Sequence, residues 1–492
     1  MFTVPVLLLL LFDLLLFFAA ALYFDKSAQK WENFLLSGLF LFSGMPALIY
    51  QVVWQRALFS IYGVNAESVA VVVSAFMLGL GLGSLAGGWI SARFPRRGIL
   101  IFGLAELGIA VFGLFSLSLF RWVAAYTAGA NLPSVVIFSF ALLLVPTMLM
   151  GATLPILVEH LVRRSGLVGA SVSRLYFVNT LGSALACYFC ARFLMRELGQ
   201  SGAVALAAVL NTIVGGTAYL YGRRKTDASA SIPAAPSLAA GGASPIKLPM
   251  AMFLAGVSGF LALGFEIAWF RVFSMAAADR APAFALLLST FLAGIAAGAY
   301  LSEKLTENAA PNTVAQVIGV LLLVAGGISA YLPALVAAAR VHRWSFLAPA
   351  PAFFLTAGLL GSVLPLLCQL SVSADEKAGS GVSLVYVSNI LGSVLGSLGI
   401  GFVLMQHFGL RQISLQLGIA TVLTGGLVLF IARKEAKLPP AWATLLLLRR
   451  SRRCRWPHRD LICCTKSSPS ETGWIPALLL RAWWKIAMAS LV

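Results

Sequence analysis

The sequence predicts an all-α integral membrane protein: two homologous six-helix bundles, preceded by one further hydrophobic segment. Three observations predict it. The composition is too apolar for water, apolar runs of bilayer length recur along the chain, and an internal repeat relates its two halves.

Of 492 residues, 60% are hydrophobic and 11% charged, against about 45–50% apolar and about 25% charged in soluble domains. That balance excludes a water-soluble enzyme, a disordered chain and a disulfide scaffold. A run that crosses the hydrocarbon core needs about 20 residues. Such runs fall at 2–24, 33–54, 66–91, 99–120, 134–158, 171–195, 199–222, 249–270, 282–302, 313–335, 345–370, 380–405 and 410–432. Each is expected to be helical, because lipid offers backbone groups no other partner and the alternation of a closed barrel is absent. The first run contains Asp13 and no basic residue precedes it, so it is poor as a signal peptide. It reads as an extra helix or as a start placed too far upstream, and 1–30 is set apart as an N-terminal extension. The other twelve runs form two bundles, 31–225 and 249–432. Between them, 226–248 is rich in Ala, Ser, Pro and Gly, a flexible-linker composition.

Net charge is +18, from 35 Lys+Arg and 17 Asp+Glu. The basic residues sit in short clusters between apolar runs rather than along one stripe, so the expected partner is the bilayer and not nucleic acid. On one side of the first bundle lie Lys26, Lys30, Arg93, Arg96, Arg97, Arg163, Arg164, Arg174, Arg223, Arg224 and Lys225; on the other lie Arg56, Arg121, Arg192 and Arg196. Eleven against four places the first set in the cytoplasm. The second bundle does not repeat the bias.

The halves share residues in register. Ser43, Gly44, Ala47, Leu48, Trp54, Arg56, Ser74, Phe76, Gly79 and Gly83 recur 215 positions later as Ser258, Gly259, Ala262, Leu263, Trp269, Arg271, Ser289, Phe291, Gly294 and Gly298. Further on the offset is 210: Gly151, Leu154, Pro155, Tyr176, Asn179, Leu181, Gly182 and Ser183 recur as Gly361, Leu364, Pro365, Tyr386, Asn389, Leu391, Gly392 and Ser393. Six helices is an even number, so both bundles enter from the same side. They are expected to be related by an axis along the membrane normal, as in major-facilitator transporters, with any cavity at their interface.

Gly79, Gly83 and Gly87, with Gly294 and Gly298, recur every four residues and are read as helix-packing faces that let backbones approach. Gly88 to Arg97 occupies the following loop and resembles a degraded form of the major-facilitator loop motif, without its Asp; basic residues there also follow from orientation alone. Ionisable groups inside the spans carry more information, since each costs at least about 2.5–3.5 kcal/mol at the bilayer centre on insertion scales. Glu106 and Glu266 are such groups. Their repeat mates are read as Gln316 and Gln51, so that each half keeps one carboxylate and one amide. Glu266 and Trp269 share a helical face. If the first and seventh helices of the two bundles line the cavity, Glu266, Gln51, Trp54 and Trp269 form a pocket suited to an organic cation by charge and cation–π attraction. A Glu266 satisfied by Arg271 or by a polar neighbour is the structural alternative. Asn179 and Asn389 are candidates for substrate contact or for hydrogen bonds that fix packing, and Glu106 is a further substrate candidate. Arg56 and Arg271 follow Trp at helix ends, as interfacial anchors do.

Cys187, Cys190 and Cys368 lie within spans and read as packing residues. The histidines, His160, His342, His407 and His458, are scattered. No metal, cofactor or catalytic residue is expected, and no Ser/His/Asp pattern or phosphate-binding glycine loop occurs.

Ser43-Gly44…Ala47-Leu48-Ile49-Tyr50-Gln51…Trp54…Arg56, Phe76…Gly79…Gly83, Pro146-Thr147…Gly151-Ala152-Thr153-Leu154-Pro155 and Tyr176…Asn179-Thr180-Leu181-Gly182 resemble the membrane portion of bacterial spermidine synthase-like proteins, also called fused major-facilitator/spermidine synthase proteins. The resemblance covers roughly 33–432. It implies a multi-pass protein of the bacterial cytoplasmic membrane. In that family Glu is common where this chain has Gln51, and Glu266 keeps the acidic version in the second half. The family also carries an aminopropyltransferase domain after the helices, whose glycine-rich loop does not occur after residue 432 here. The basic segment 433–492, with five of the eleven Trp and three of the six Cys, is read either as a frame-shifted continuation or as an amphipathic tail on the anionic leaflet. The functions expected are a transporter-like or small-molecule-binding protein for polyamines or other small organic cations; a membrane anchor for a separate soluble aminopropyltransferase; and, least favoured, a transferase.

Overall fold

The structure, a computed structural model, describes residues 29–62, 66–127, 132–228, 244–276, 281–306, 309–341, 349–375 and 377–435. The run at 2–24, most of the linker, His342, and the tail beyond Glu435 with Cys454, Cys463, Cys464 and His458 lie outside the described residues.

Twelve membrane-length rods follow one another, and no strand occurs among the described residues. In the first half they are α1 (Gln29–Tyr62), α2 (Ala66–Arg93), α3 (Gly98–Tyr126), α4 (Leu132–Ser165), α5 (Val168–Phe189, continuing to Glu197) and α6 (Gly199–Ala228). In the second half they are α7 (Leu248–Ala276), α8 (Ala281–Thr306), α9 (Pro311–Val341), α10 (Ala350–Gly361 and Val363–Ser371), α11 (Ala378–Leu398, continuing to His407) and α12 (Leu410–Glu435). Eleven stretches among the described residues are long and apolar enough to cross a membrane. At 26 residues, α8 has the length as well, given about 1.5 Å of rise per residue.

Local chemistry sets the rod ends. Gly166 takes φ 68° directly after α4, a left-handed position that suits glycine, and its N–H reaches Val162 O at 2.8 Å. Pro311 opens α9, where its missing N–H costs nothing. Two wider π turns interrupt α5 at Cys190–Leu194 and α11 at Gly399–Leu404. Their last residues lie 210 positions apart, so the irregularity belongs to the repeat.

Packing follows the repeat too. Within the halves α1 packs on α5 as α7 packs on α11, α2 on α4 as α8 on α10, and α3 on α6 as α9 on α12. The closest approaches occur where side chains are absent. A Cβ on Gly83 would strike the carbonyl of Met148, and one on Gly298 the carbonyl of Gly358. Gly87 faces the carbonyl of Ala152 and Gly294 that of Phe354 in the same way, and Gly79 faces the side chain of Thr147. With no hydrophobic effect between helices in lipid, such backbone proximity is a principal source of association. Across the halves, α2 packs on α11 and α5 on α8. These two contacts exchange under the repeat, so one pseudo-twofold relationship generates the whole arrangement.

The helix 3 to helix 9 register corrects one sequence reading. Gly103 on α3 meets Gly215 and Tyr219 on α6, and Gly319 on α9 meets Gly425 and Leu429 on α12. The α6 to α12 offset is 210, so the α3 to α9 offset is 216. The counterpart of Glu106 is therefore Leu322 and not Gln316. Glu106 lies against Gly215 as Leu322 lies against Gly425. The two halves do not each keep one carboxylate and one amide.

Candidate functional site

Glu266 and Gln51 do occupy equivalent places. Trp269 stacks on Phe265 with ring centroids 5.0 Å apart, and Trp54 stacks on Tyr50 at 4.9 Å. Both pairs sit 215 positions apart, which fixes the α1 to α7 register. Glu266 and Gln51 line a single cavity of about 20 Å³ where the halves meet. Gln55, Trp269, Phe270 and Phe291 complete much of its wall. It brings together one carboxylate, two amides and several aromatic faces, a set able to hold a positively charged group by charge, hydrogen bonding and cation–π contact. The indole N–H of Trp269 is buried and has no acceptor among the described residues.

Trp54 is not part of that wall, which corrects its assignment as a pocket group. It is 1% exposed, donates its indole N–H to Ser116 Oγ at 2.9 Å, and packs edge-on against Phe112 and Phe120 of α3. Ser116 in turn donates to Gly113 O at 2.7 Å. With its N–H satisfied and its ring buried inside the first half, Trp54 does not reach the cavity.

A second cavity, of about 60 Å³, is walled by Ser43, Glu106, Thr153, Asn179, Asn211 and Tyr176 of the first half, with Tyr386 of α11 also lining it. Glu106 is 1% exposed. It accepts Ser43 Oγ at 2.6 Å and Asn211 Nδ2 at 2.5 Å. Sequence reasoning named Glu106 and Asn179 but missed Ser43 and Asn211 as its partners. A buried carboxylate requires donors, and polar residues one helix away on α1 and α6 were the signal.

Asn179 Nδ2 donates to Phe40 O at 3.2 Å, and Asn389 Nδ2 to Ala255 O at 3.0 Å. Ser183 and Ser393 repeat the pattern toward Gly44 O and Gly259 O, at 3.1 and 3.3 Å. These bonds tie α5 to α1 and α11 to α7. Asn389 therefore serves packing, whereas Asn179 both packs and borders the 60 Å³ cavity. Arg56 and Arg271 are exposed.

The end of the molecule that carries most of the basic residues holds a charge network that sequence reasoning did not anticipate. Buried Glu32 pairs with Arg164 and lies 3.0 Å from His160. Glu159 pairs with Arg163 at 2.7 Å, and Arg174 meets Glu303 across the halves at 3.7 Å. Cys187, Cys190 and Cys368 are buried. Among the described residues no group of His, Cys, Asp and Glu has metal-site geometry.

No family model matches the chain. Two curated proteins are similar over part of it: polyamine aminopropyltransferase 2 of Streptomyces coelicolor, 28% identical over 192 residues, 38% of this chain and 33% of that protein; and polyamine aminopropyltransferase of Oceanobacillus iheyensis, 24% identical over 188 residues, 37% and 35% of the two chains. The chain thus matches about a third of the length of these relatives. Solved structures match far more of it. The major facilitator superfamily transporter FucP in the outward conformation has a TM-score of 0.54 at 13% identity, covering 82% of this chain and 98% of its own. A bacterial homologue of the iron transporter ferroportin has 0.58 at 12%, covering 82% and 98%. The human organic anion transporter MFSD10 has 0.56 at 12%, covering 81% and 99%. The chain has the fold of major facilitator transporters.

Proposed function

We propose that this chain is a transporter-like protein of the bacterial cytoplasmic membrane that takes a small organic cation of the polyamine class between its two halves. One observation carries the reading: Glu266 and its repeat mate Gln51 line the same inter-half cavity beside Trp269. An acid among aromatic walls is expensive in a membrane and is most readily explained by a cationic ligand. In the present conformation the space holds water at most, so a polyamine enters when the halves rock apart. The partial similarity to polyamine aminopropyltransferases supports this substrate class.

Uptake of radiolabelled spermidine into proteoliposomes tests it. Saturable uptake that falls at least tenfold in Glu266→Gln, a loss of about 1.4 kcal/mol of interaction, supports the proposal. Wild-type liposomes no better than empty ones contradict it.

The same partial similarity favours a second reading, a membrane partner of a separately encoded aminopropyltransferase. Copurification of such an enzyme with the tagged chain, together with no uptake, would select that reading.

A further inference from the structure

Glu106 is a buried acid with no basic partner among the described residues. Ser43 and Asn211 donate to its two oxygens, both donors are neutral, and among the described residues no Lys, Arg or His forms an ion pair with it. A carboxylate in such surroundings needs a compensating positive charge.

We infer that the 60 Å³ cavity beside Glu106 is a binding site for a small alkali cation, with sodium the best match. Its ligand chemistry is hard oxygen: the Glu106 carboxylate, the Ser43 hydroxyl and the side-chain carbonyl of Asn211. That carbonyl oxygen is buried and has no partner among the described residues, while the amide nitrogen is committed to Glu106. Oxygen ligands of this kind suit hard cations. A single carboxylate balances a single positive charge. The space admits an ion with a water or two.

The second half supplies an internal control. Its Ser258 repeats Ser43, but Leu322 stands where Glu106 does and Thr421 where Asn211 does. Leu322 is 1% exposed. The same helix packing is therefore built without an acid, so helix packing alone does not explain Glu106. The site uses no residue of the Glu266 cavity and stands whether or not polyamine is the substrate.

The test is binding of radioactive sodium to the purified full chain in lipid nanodiscs, read by scintillation proximity, with melting temperature compared in sodium and choline chloride at equal ionic strength. Saturable binding is expected, displaced by excess sodium or lithium and not by choline. Glu106→Gln should lower it at least tenfold, and Asn211→Thr, the residue the second half carries, should weaken it severalfold. Glu266→Gln should retain it, which separates this site from the organic-cation pocket. Absence of saturable binding to the wild-type chain overturns the inference without reliance on any variant. So does unchanged binding in both Glu106→Gln and Asn211→Thr. A melting temperature that follows pH and ignores sodium also overturns it, because a proton would then be the compensating charge.

Discussion

Glu159 on α4 accepts a hydrogen bond from the backbone N–H of Gly379 on α11, 2.6 Å away. One acid of the first half thereby caps the first turn of a helix in the second half. The N-terminal N–H groups of a helix have no internal partner and carry partial positive charge. A buried carboxylate that also holds Arg163 answers both needs. Ser380 adds a bond to Gly88 O at 2.9 Å, so the halves are fastened together at the basic end.

Glu159→Ala removes the cap and leaves Arg163 without this carboxylate. The expected cost is about 1–3 kcal/mol, the penalty for stranding a buried donor. Denaturation of purified protein in detergent measures it. Glu159→Gln, which can still accept from Gly379, should lose less.

The side chains of Ser173 on α5 and Ser302 on α8 are 3.4 Å apart across the halves. With the six native cysteines replaced by Ser, Ser173→Cys with Ser302→Cys should form a disulfide under mild oxidation. After cleavage at a protease site inserted in the linker, the two halves should stay joined on a non-reducing gel. Two separate fragments would contradict the α5 to α8 contact.

Gly83 and Gly216 make a matched pair. A methyl at Gly83 meets the Met148 carbonyl, and a methyl at Gly216 meets nothing within 4 Å. Gly83→Ala should destabilise by about 1–3 kcal/mol, as overpacking does. Gly216→Ala should be neutral or stabilise by up to about 1 kcal/mol through helix propensity. Their melting temperatures should move apart.

The two repeat tryptophans should respond differently to Phe. Trp54→Phe breaks the bond to Ser116 and is expected to cost about 1 kcal/mol beyond the change in packing. Trp269→Phe loses an N–H that has no acceptor among the described residues, so its stability cost should be smaller and its effect on cation binding larger.

The fold was legible because lipid imposes a composition and a helix length that letters record directly. The repeat was legible wherever a residue is irreplaceable: Gly83 and Gly298 meet a backbone carbonyl, and Asn179 and Asn389 each hold one. It is faint on α3 and α9, where most positions need only be apolar: at the offset of 216 Gly103 and Gly319 match, but otherwise only leucines recur (Leu107/Leu323, Leu119/Leu335), too little to set Glu106 opposite Leu322 rather than Gln316. The candidate site was half legible for the same reason. Trp54 and Trp269 are the same letter in the same register, but that offset puts Ser116 on α3 opposite Leu332 on α9, and only the first half supplies an acceptor.

The most direct measurement of the central claim is equilibrium binding of radiolabelled spermidine to the purified full chain, wild type beside Glu266→Gln and Trp54→Phe. The expected result is saturable binding that Glu266→Gln reduces at least tenfold and Trp54→Phe leaves within a factor of about two. Equal binding by wild type and Glu266→Gln, or none by wild type, would contradict the claim that the space between the halves receives a cation.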